Sequence, residues 1–316
     1  MNISLENYME GLWDKPVNLI NIALVIIAVA LASGAVAVWL IIQARKKRGQ
    51  RAVNNPAGIV DLTPPQFRAK ESADARRISV GERTIVIESA QELGRRESQQ
   101  DAFAVSAEQG RAVCAVCDGM GGMAKGEESA QLAALVIMSQ LEKPCESAAE
   151  TVAAIENTLK TASSQVYGLC RGRGGSTAVV AVIDENGLVY GAAGDSRIYL
   201  LRDGMLNQLG QDHIFYYDLL RTDFTPKEAA EHPESEHLTS FIGREELTKI
   251  NSSGGAIGLA AGDMILIVSD GIYKSIDDRN IVAALSRGGA GAVVEAAMTA
   301  GNPAQDNATA VSIKVI

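Results

Sequence analysis

Short apolar runs separated by turn residues fill the chain from about residue 81 to its last residue, 316. Apolar runs of about four to eight residues between Gly, Asp, Asn or Pro are typical of β-strands. The pattern therefore predicts strands at 84–88, 102–106, 112–117, 178–183, 188–193, 198–201, 264–269 and 308–315.

Turn and helix signals lie between these runs. Residues 184–187 (Asp-Glu-Asn-Gly) and 202–204 (Arg-Asp-Gly) have the composition of hairpin turns. Helices are predicted at 127–141, 148–169, 277–286 and 290–300. Hairpin-linked strands followed by paired helices favour an α+β layered sandwich over a parallel, doubly wound sheet.

The N-terminal region has a different pattern, because no charged residue occurs from Pro16 to Ala44. At about 1.5 Å rise per residue, this stretch can cross a hydrocarbon layer of about 30 Å. A cleaved signal peptide is the alternative, but the acidic N-terminus and the length of the run favour a retained helix. The basic run 45–48 follows directly, which places the remainder of the chain on the cytoplasmic side.

These features predict four segments. Residues 1–16 form a short extracytoplasmic N-terminus, 17–44 a transmembrane helix, 45–80 a linker and 81–316 the globular domain. We therefore expect a single-pass protein of the plasma (inner) membrane whose globular domain is cytoplasmic. The net charge of -9 argues against nucleic acid as a partner, since phosphate backbones are bound by basic surfaces.

The cysteine and histidine patterns do not indicate a zinc site. Cys114 and Cys117 lie in one predicted strand, where residues three apart point to opposite faces, so we interpret them as core thiols. The three histidines (213, 232 and 237) lack zinc spacing, and we expect them in loops or on the surface.

Aspartates recur at the ends of the predicted strands. Asp101 begins one strand, and Asp118, Asp195, Asp270 and Asp306 adjoin others. One such aspartate is typical of an ordinary turn, but several gathered at one edge would repel each other unless divalent cations lay between them. Oxygen ligands without His or Cys favour Mg²⁺ or Mn²⁺.

Residues 119–122 (Gly-Met-Gly-Gly) follow Asp118 directly. They lack the lysine of a nucleotide-binding phosphate loop, and we reject that interpretation. A glycine beside Asp118 would instead let a backbone carbonyl approach a metal closely.

Six motifs occur in an order that resembles the PP2C/PPM family of metal-dependent serine/threonine phosphatases, bacterial type. They are Arg96-Glu97-Ser98-Gln99-Gln100-Asp101, Asp118-Gly119-Met120-Gly121-Gly122, Gly175-Ser176-Thr177-Ala178, Gly194-Asp195-Ser196-Arg197, Ser269-Asp270-Gly271 and Asp306-Asn307-Ala308-Thr309. The resemblance covers about residues 81–316 and does not extend to the N-terminal segments.

The resemblance implies a four-layer sandwich of two antiparallel β-sheets flanked by helices, with two or three Mn²⁺ or Mg²⁺ ions at one edge. It assigns Asp118 to both ions and the Gly119 carbonyl to one of them. It also implies that Asp270 and Asp306 complete the site, with Asp101 in the outer shell. Asp195 matches a third-ion position. Arg96 matches the arginine that binds the substrate phosphate, so Arg96 and Asp118 are the expected catalytic residues.

The implied reaction is hydrolysis of phosphoserine or phosphothreonine in proteins by a metal-activated water, without a covalent phosphoenzyme. The implied partners are phosphorylated proteins and a Hanks-type serine/threonine kinase. Residues 212–257 would form a flap over the site. The alternative is a catalytically silent scaffold of the same fold that binds phosphoproteins.

Overall fold

The computed structural model describes residues 70–108, 110–121 and 123–316, all within one unit, Ala57–Ile316. The predicted segments 1–16 and 17–44, and most of the linker 45–80, lie outside the described residues. Among the described helices, one (Asp278–Thr299) is long and apolar enough to cross a membrane by composition alone, and 50% of its most apolar window is buried in the protein.

The elements alternate between hairpin-linked strands and pairs of helices. The strands are β1 (Lys70–Val80), β2 (Arg83–Glu92), β3 (Asp101–Glu108), β4 (Arg111–Met120), β5 (Gly175–Ser176), β6 (Ala178–Asp184), β7 (Gly187–Ala193), β8 (Arg197–Arg202), β9 (Met205–Leu209), β10 (Asn251–Ser252), β11 (Met264–Val268) and β12 (Ala308–Val315). The helices are α1 (Met123–Leu141), α2 (Ala148–Cys170), α3 (Phe215–Leu219), α4 (Pro226–Glu231), α5 (Asp270–Tyr273) and α6 (Asp278–Thr299).

These strands form two antiparallel sheets. The first has the order β1-β2-β12-β11-β8-β9, and the second has the order β10-β7-β6-β4-β3, with β5 paired to β4. The two predicted hairpin turns join β6 to β7 and β8 to β9. In the second turn Asp203 and Gly204 both have positive φ (52° and 77°), as a two-residue hairpin of type I′ requires.

Apolar side chains divide the domain into four layers. Ile87 and Ile313 of the first sheet pack against Val116 and Val179 of the second to form the central core. Helices α1 and α2 cover the outer face of the second sheet, and α6 covers the outer face of the first. The expected sandwich of two antiparallel sheets flanked by helices is confirmed for the described residues.

The two strand cysteines lie on opposite faces of β4, as expected. Cys114 belongs to the core between the sheets and Cys117 to the core beneath the helices. Burial raises the pKa of the Cys114 thiol to about 12, and burial also raises that of Cys117, so both are inert core thiols.

Two elements differ from the expectation. Strand β1 occupies Lys70–Val80, which the sequence assigned to the linker, so the sheet begins before residue 81. It is an edge strand paired only with β2 in the sheet order, and such strands tolerate the charged composition that concealed it. The predicted helices 277–286 and 290–300 are two parts of α6, separated by a kink at Gly288 and Gly289.

Candidate active site

The pairing of β3 with β4 brings the first two candidate aspartates together. Asp101, the first residue of β3, is directly opposite Asp118, which lies two residues before the end of β4. The Gly119 N–H donates to the Gln100 carbonyl across 3.0 Å and continues the pairing by one residue. The two carboxylates therefore start from neighbouring backbone positions at one edge of the second sheet.

Asp101 is buried and is held by two hydroxyl groups of the first sheet's edge. Ser269 Oγ and Thr309 Oγ1 each donate to Asp101 Oδ2 across 2.7 Å. Burial raises the pKa of Asp101 to about 7, against the lowering effect of the two hydroxyls and with the help of the nearby charges of Asp270 and Asp306.

Asp118 lies at the centre of the acidic residues. Burial raises its pKa well above the usual range, and the negative charges of Asp101, Asp270, Asp195 and Asp306 raise it further. Its carboxylate is thus within electrostatic reach of every other candidate metal ligand. The fold brings all five predicted aspartates to one site.

Thr177 fixes the backbone at Asp118. The Asp118 N–H donates to Thr177 Oγ1 across 2.9 Å, and the Thr177 N–H donates to the Asp118 carbonyl across 2.8 Å. Thr177 Oγ1 also shares a 2.7 Å hydrogen bond with Ser196 Oγ. One side chain therefore ties the Asp118 strand to the turn that carries Asp195.

Gly119 is required by close backbone packing. A Cβ atom at this position would lie 2.1 Å from the Gly126 carbonyl oxygen and 2.7 Å from that of Gln100. The glycine thus lets three backbone segments meet beside Asp118. The expected role of its carbonyl as a metal ligand stays a prediction and is separate from this packing.

Asp270 begins the short helix α5, and a lysine one turn later contacts it. Lys274 Nζ donates to Asp270 Oδ2 across 2.7 Å and lies 3.7 Å from Asp195 Oδ2. The ammonium group is therefore placed between two of the five carboxylates.

Asp195 sits in a turn that a buried histidine supports. The Gly194 N–H donates to His213 Nδ1 across 3.1 Å, and the His213 N–H donates back to the Gly194 carbonyl across 3.0 Å. Burial lowers the pKa of His213, in keeping with a neutral ring that accepts. His213 lies in a loop, as expected, but it is buried rather than at the surface.

Tyr273 determines the orientation of Asp195. Its hydroxyl donates to the Asp195 carbonyl (3.0 Å) and lies 3.3 Å from Asp195 Oδ2. Burial raises the pKa of Asp195 to about 6, the charge of Asp270 raises it further, and Lys274 opposes both.

Arg96 reaches the site from the loop before β3. Its Nη2 atom contacts Asp306 Oδ2 at 2.5 Å, and 57% of its side chain is exposed. The neighbouring Asn307 ties this loop down, since its Oδ1 accepts from the Gln100 N–H (2.8 Å) and its Nδ2 donates to the Leu93 carbonyl (2.8 Å). Arg96 and Asp306 therefore belong to one hydrogen-bonded unit at the rim.

The segment predicted as a flap borders a cavity of about 260 Å³ beside Asp195. The Arg197 Nε–H is shared between the two carboxylate oxygens of Asp212, and Arg197 Nη2 donates to Asp212 Oδ2 (2.7 Å). The Arg197 guanidinium lies 3.5 Å from the centre of the Tyr273 ring. The cavity is lined by Asp195, Arg197, Asp212, Ile214, Tyr216, Tyr217, Ala230, Glu236 and Tyr273.

The acidic cluster fits a hard divalent cation in its chemistry. Its side-chain donors are all carboxylate oxygens, the ligands that Mg²⁺ and Mn²⁺ prefer. As they stand, no three His, Cys, Asp or Glu side chains of the described residues are grouped closely enough to hold one ion. Arg96, Lys274 and two hydroxyls engage Asp306, Asp270 and Asp101 instead.

Four residues with a place in the site were not assigned a role from the sequence: Thr177, His213, Tyr273 and Lys274. Lys274 follows Asp270 by four residues, a spacing that places two side chains on the same helix face. This spacing is informative only if residues 270–274 are known to be helical. Helix α5 has four residues, too few for helical periodicity to be recognised in the sequence.

Known proteins with similar sequences and folds are phosphatases. The chain is 33% identical over 217 residues to the serine/threonine protein phosphatase PstP of Mycobacterium tuberculosis, an alignment that covers 66% of this chain and 41% of that protein. It is 30% identical over 179 residues to protein phosphatase PhpP of Streptococcus pneumoniae, covering 54% of this chain and 72% of that protein. The crystal structure of the PstP catalytic domain in complex with two manganese ions aligns with a TM-score of 0.59 at 27% identity, over 73% of this chain and 98% of that one.

The sandwich fold, its acidic edge and these relatives define the class of protein. The chain is a serine/threonine protein phosphatase. The sequence model of the family Protein phosphatase 2C matches residues 90–299 of the 316. The chain belongs to the protein phosphatase 2C family.

Proposed function

We propose that this chain hydrolyses phosphoserine and phosphothreonine in proteins with the help of Mn²⁺ or Mg²⁺. The observation that carries the proposal is the position of Asp118, a buried carboxylate whose pKa is raised by burial and then by the charges of four neighbouring carboxylates. A cluster of like charges is costly to hold in a folded protein, and a divalent cation is the natural counter-charge.

In this proposal Asp118, Asp270, Asp306 and the Gly119 carbonyl hold two ions, with Asp101 in the outer shell. Asp195 belongs to the same cluster, at the position that the family resemblance assigns to a third ion. When bound, the ions would supply Lewis-acid stabilisation of the phosphoryl oxygens and a water of lowered pKa. The two-manganese complex of the PstP catalytic domain supports this choice of cofactor.

Arg96 would bind the phosphoryl group of the substrate. A guanidinium has five N–H donors in a fixed planar arrangement. Arg96 can therefore keep its contact with Asp306 and still donate hydrogen bonds to two phosphoryl oxygens. Its exposed position at the rim is suited to a substrate that arrives on the surface of another protein. Asn307, which anchors the Arg96 loop, would set the height of the guanidinium above Asp118.

The competing function is a silent scaffold that binds phosphoproteins without hydrolysing them. Such a module needs Arg96 but gains nothing from five carboxylates, since negative charge near the phosphate would weaken binding. The acidic cluster beneath Arg96 therefore favours catalysis over simple binding.

A hydrolysis assay on the full chain separates the two functions. We expect p-nitrophenyl phosphate and a phosphothreonine peptide to be hydrolysed with Mn²⁺ and not with a chelator. Asp118→Asn should lower kcat/KM at least about a hundredfold, since even outer-shell partners of metals are worth 10–100-fold. Asp184→Asn, which changes a strand-end aspartate in the β6–β7 turn, is the matched control and should leave kcat/KM unchanged. Peptide binding without hydrolysis in Mn²⁺ would favour the scaffold.

The proposed location is the cytoplasmic face of the plasma membrane, through the charge-free stretch from Pro16 to Ala44 and the basic run after it. The proposed partners are phosphorylated proteins and a Hanks-type kinase, whose phosphorylated products this enzyme would dephosphorylate. Cell fractionation tests the location: the full-length chain should sediment with membranes and be released by detergent rather than by high salt. A full-length chain in the soluble fraction would contradict it.

A further inference from the structure

The ammonium group of Lys274 lies between two carboxylates of the acidic cluster. Its Nζ atom is 2.7 Å from Asp270 Oδ2 and 3.7 Å from Asp195 Oδ2. Among the described lysines and arginines, Lys274 is the one whose ion pairs join two of the five site aspartates. Arg96, the other cation at this edge, pairs with Asp306.

The backbone and the neighbouring side chains fix this arrangement. Asp270 and Lys274 are one helical turn apart, and the Lys274 N–H donates to the Asp270 carbonyl across 3.0 Å. Tyr273, the residue before the lysine, holds Asp195 through its hydroxyl. Helix α5 therefore positions the Lys274 ammonium group next to Asp270, and through Tyr273 it also holds Asp195.

The two carboxylates are more buried than the lysine that joins them. The side chains of Asp195 and Asp270 are 10% and 17% exposed, whereas that of Lys274 is 44% exposed. The aliphatic stem of the lysine reaches in from the surface and delivers a single positive charge to a partly desolvated site. Such a charge repels any further cation at the same place more strongly than it would in water.

We propose that Lys274 is a built-in cation that takes the place of a third divalent ion between Asp195 and Asp270, so that this chain holds two divalent ions and not three. The inference rests on the proposed function, because it concerns the same acidic cluster. A third ion would have to share Asp270 Oδ2 with an ammonium at hydrogen-bonding distance, and the two positive charges would repel each other.

The number of bound Mn²⁺ ions tests this proposal directly. Mn²⁺ binding to the full chain is measured by isothermal titration calorimetry into the millimolar range and by counting the free ion with electron paramagnetic resonance. We expect two ions for the wild type and two for Lys274→Arg, which keeps the charge. Lys274→Met removes the charge at similar volume, and we expect it to bind a third ion. Lys274→Met combined with Asp195→Asn should return to two.

Lys249→Met is the matched control, because Lys249 forms a lysine–aspartate pair of the same length with Asp218, outside the acidic cluster. It should keep the wild-type count. Lys274→Gln gives a second neutral variant if Lys274→Met does not fold, as judged by circular dichroism. Anomalous scattering from Mn²⁺ in crystals of the same variants would locate the additional ion beside Asp195.

Three ions in the wild type would overturn the proposal, and so would two ions in both neutral variants or three in Lys274→Arg. A wild type that binds no Mn²⁺ would overturn both this inference and the proposed function. A wild type that binds two ions without hydrolysing any phosphoester, while the neutral variants bind three, would overturn the proposed function alone.

Discussion

Thr309 and Asp101 join the two sheets of the sandwich at the edge that carries the site. Thr309 is on β12 of the first sheet, Asp101 is on β3 of the second, and the threonine hydroxyl donates to the carboxylate across 2.7 Å. Gln91 completes the junction by donating to both the Asp101 carbonyl (3.1 Å) and Thr309 Oγ1 (2.9 Å). Asp101 is thus a structural link between layers as well as a candidate outer-shell residue.

Thr309→Val should destabilise the protein without changing its shape. The substitution removes one hydrogen bond to a buried carboxylate and an acceptor for Gln91, so we expect the free energy of unfolding to fall by about 1–3 kcal/mol. Urea denaturation with far-ultraviolet circular dichroism measures the change. Thr161→Val is the control, because its hydroxyl bonds only to the Asn157 carbonyl on an exposed helix surface, and it should change stability by less than about 0.5 kcal/mol. Equal effects of the two substitutions would contradict the role of the Asp101 junction.

The pKa values of the cluster predict how stability depends on pH when a chelator is present. Burial raises the pKa of Asp101 to about 7 and that of Asp195 to about 6, from 3.8 for both. Between about pH 4 and pH 7 the folded chain therefore binds more protons than the unfolded chain. The free energy of unfolding should fall as the pH rises through this range, by at most about 1.4 kcal/mol per pH unit for each group.

Urea titrations between pH 5 and pH 8 in a chelator check this sign. Asp195→Asn removes one of the groups and should make the fall shallower below about pH 6. Asp184→Asn, in an exposed turn, should leave the slope as it is. A stability that rises with pH across this range would mean that the carboxylates are charged and already compensated in the folded chain.

The regular part of this arrangement could be predicted from the sequence because it depends on local signals. Apolar runs that end in Asp-Gly placed Asp118 and Asp270 at strand ends, and the order of the strands then gathered them at one edge. Strand β1 was missed because only Ile78 and Val80 in its second half are apolar, and an edge strand needs no more than that to pair with β2.

Lys274 and His213 could not be predicted from local signals. The lysine contacts a second site carboxylate only because the fold brings Asp195, some eighty residues earlier in the chain, beside α5. The histidine lies in a polar stretch, and its burial depends on the turn at Gly194 that it supports. Both contacts are long-range pairings of polar groups, which leave no periodic pattern in the sequence.

Arg96→Lys should impair the use of substrate more than it impairs the fold. A lysine keeps the charge but cannot offer two parallel N–H donors, so we expect kcat/KM for a phosphopeptide to fall about 10–100-fold, the equivalent of about 1.5–3 kcal/mol. Arg95→Lys is the matched control, since Arg95 is the exposed neighbour whose backbone N–H holds the Gln305 carbonyl in either variant. Steady-state kinetics with both variants checks the prediction. Equal kinetics for Arg96→Lys and wild type would remove Arg96 from the phosphate site.

Gly271→Ala should disturb the ion site through the backbone. A Cβ atom at Gly271 would lie 2.0 Å from the Asn307 carbonyl oxygen, so the α5 turn and the segment of Asp306 and Asn307 would have to separate. These two segments carry Asp270 and Asp306. We expect the free energy of unfolding to fall by about 1–3 kcal/mol and the affinity for Mn²⁺ to fall about 10–100-fold.

Gly258→Ala is the control for that substitution, because a Cβ atom there meets no heavy atom within 4 Å. It should be neutral or stabilise by up to about 1 kcal/mol, since alanine restricts the unfolded chain. Calorimetric titration with Mn²⁺ and urea denaturation of both variants give the two quantities. If Gly271→Ala lost stability but bound Mn²⁺ as tightly as Gly258→Ala, then the close approach of α5 to Asn307 would serve the core alone, and Asp270 and Asp306 would not be ligands of a shared site.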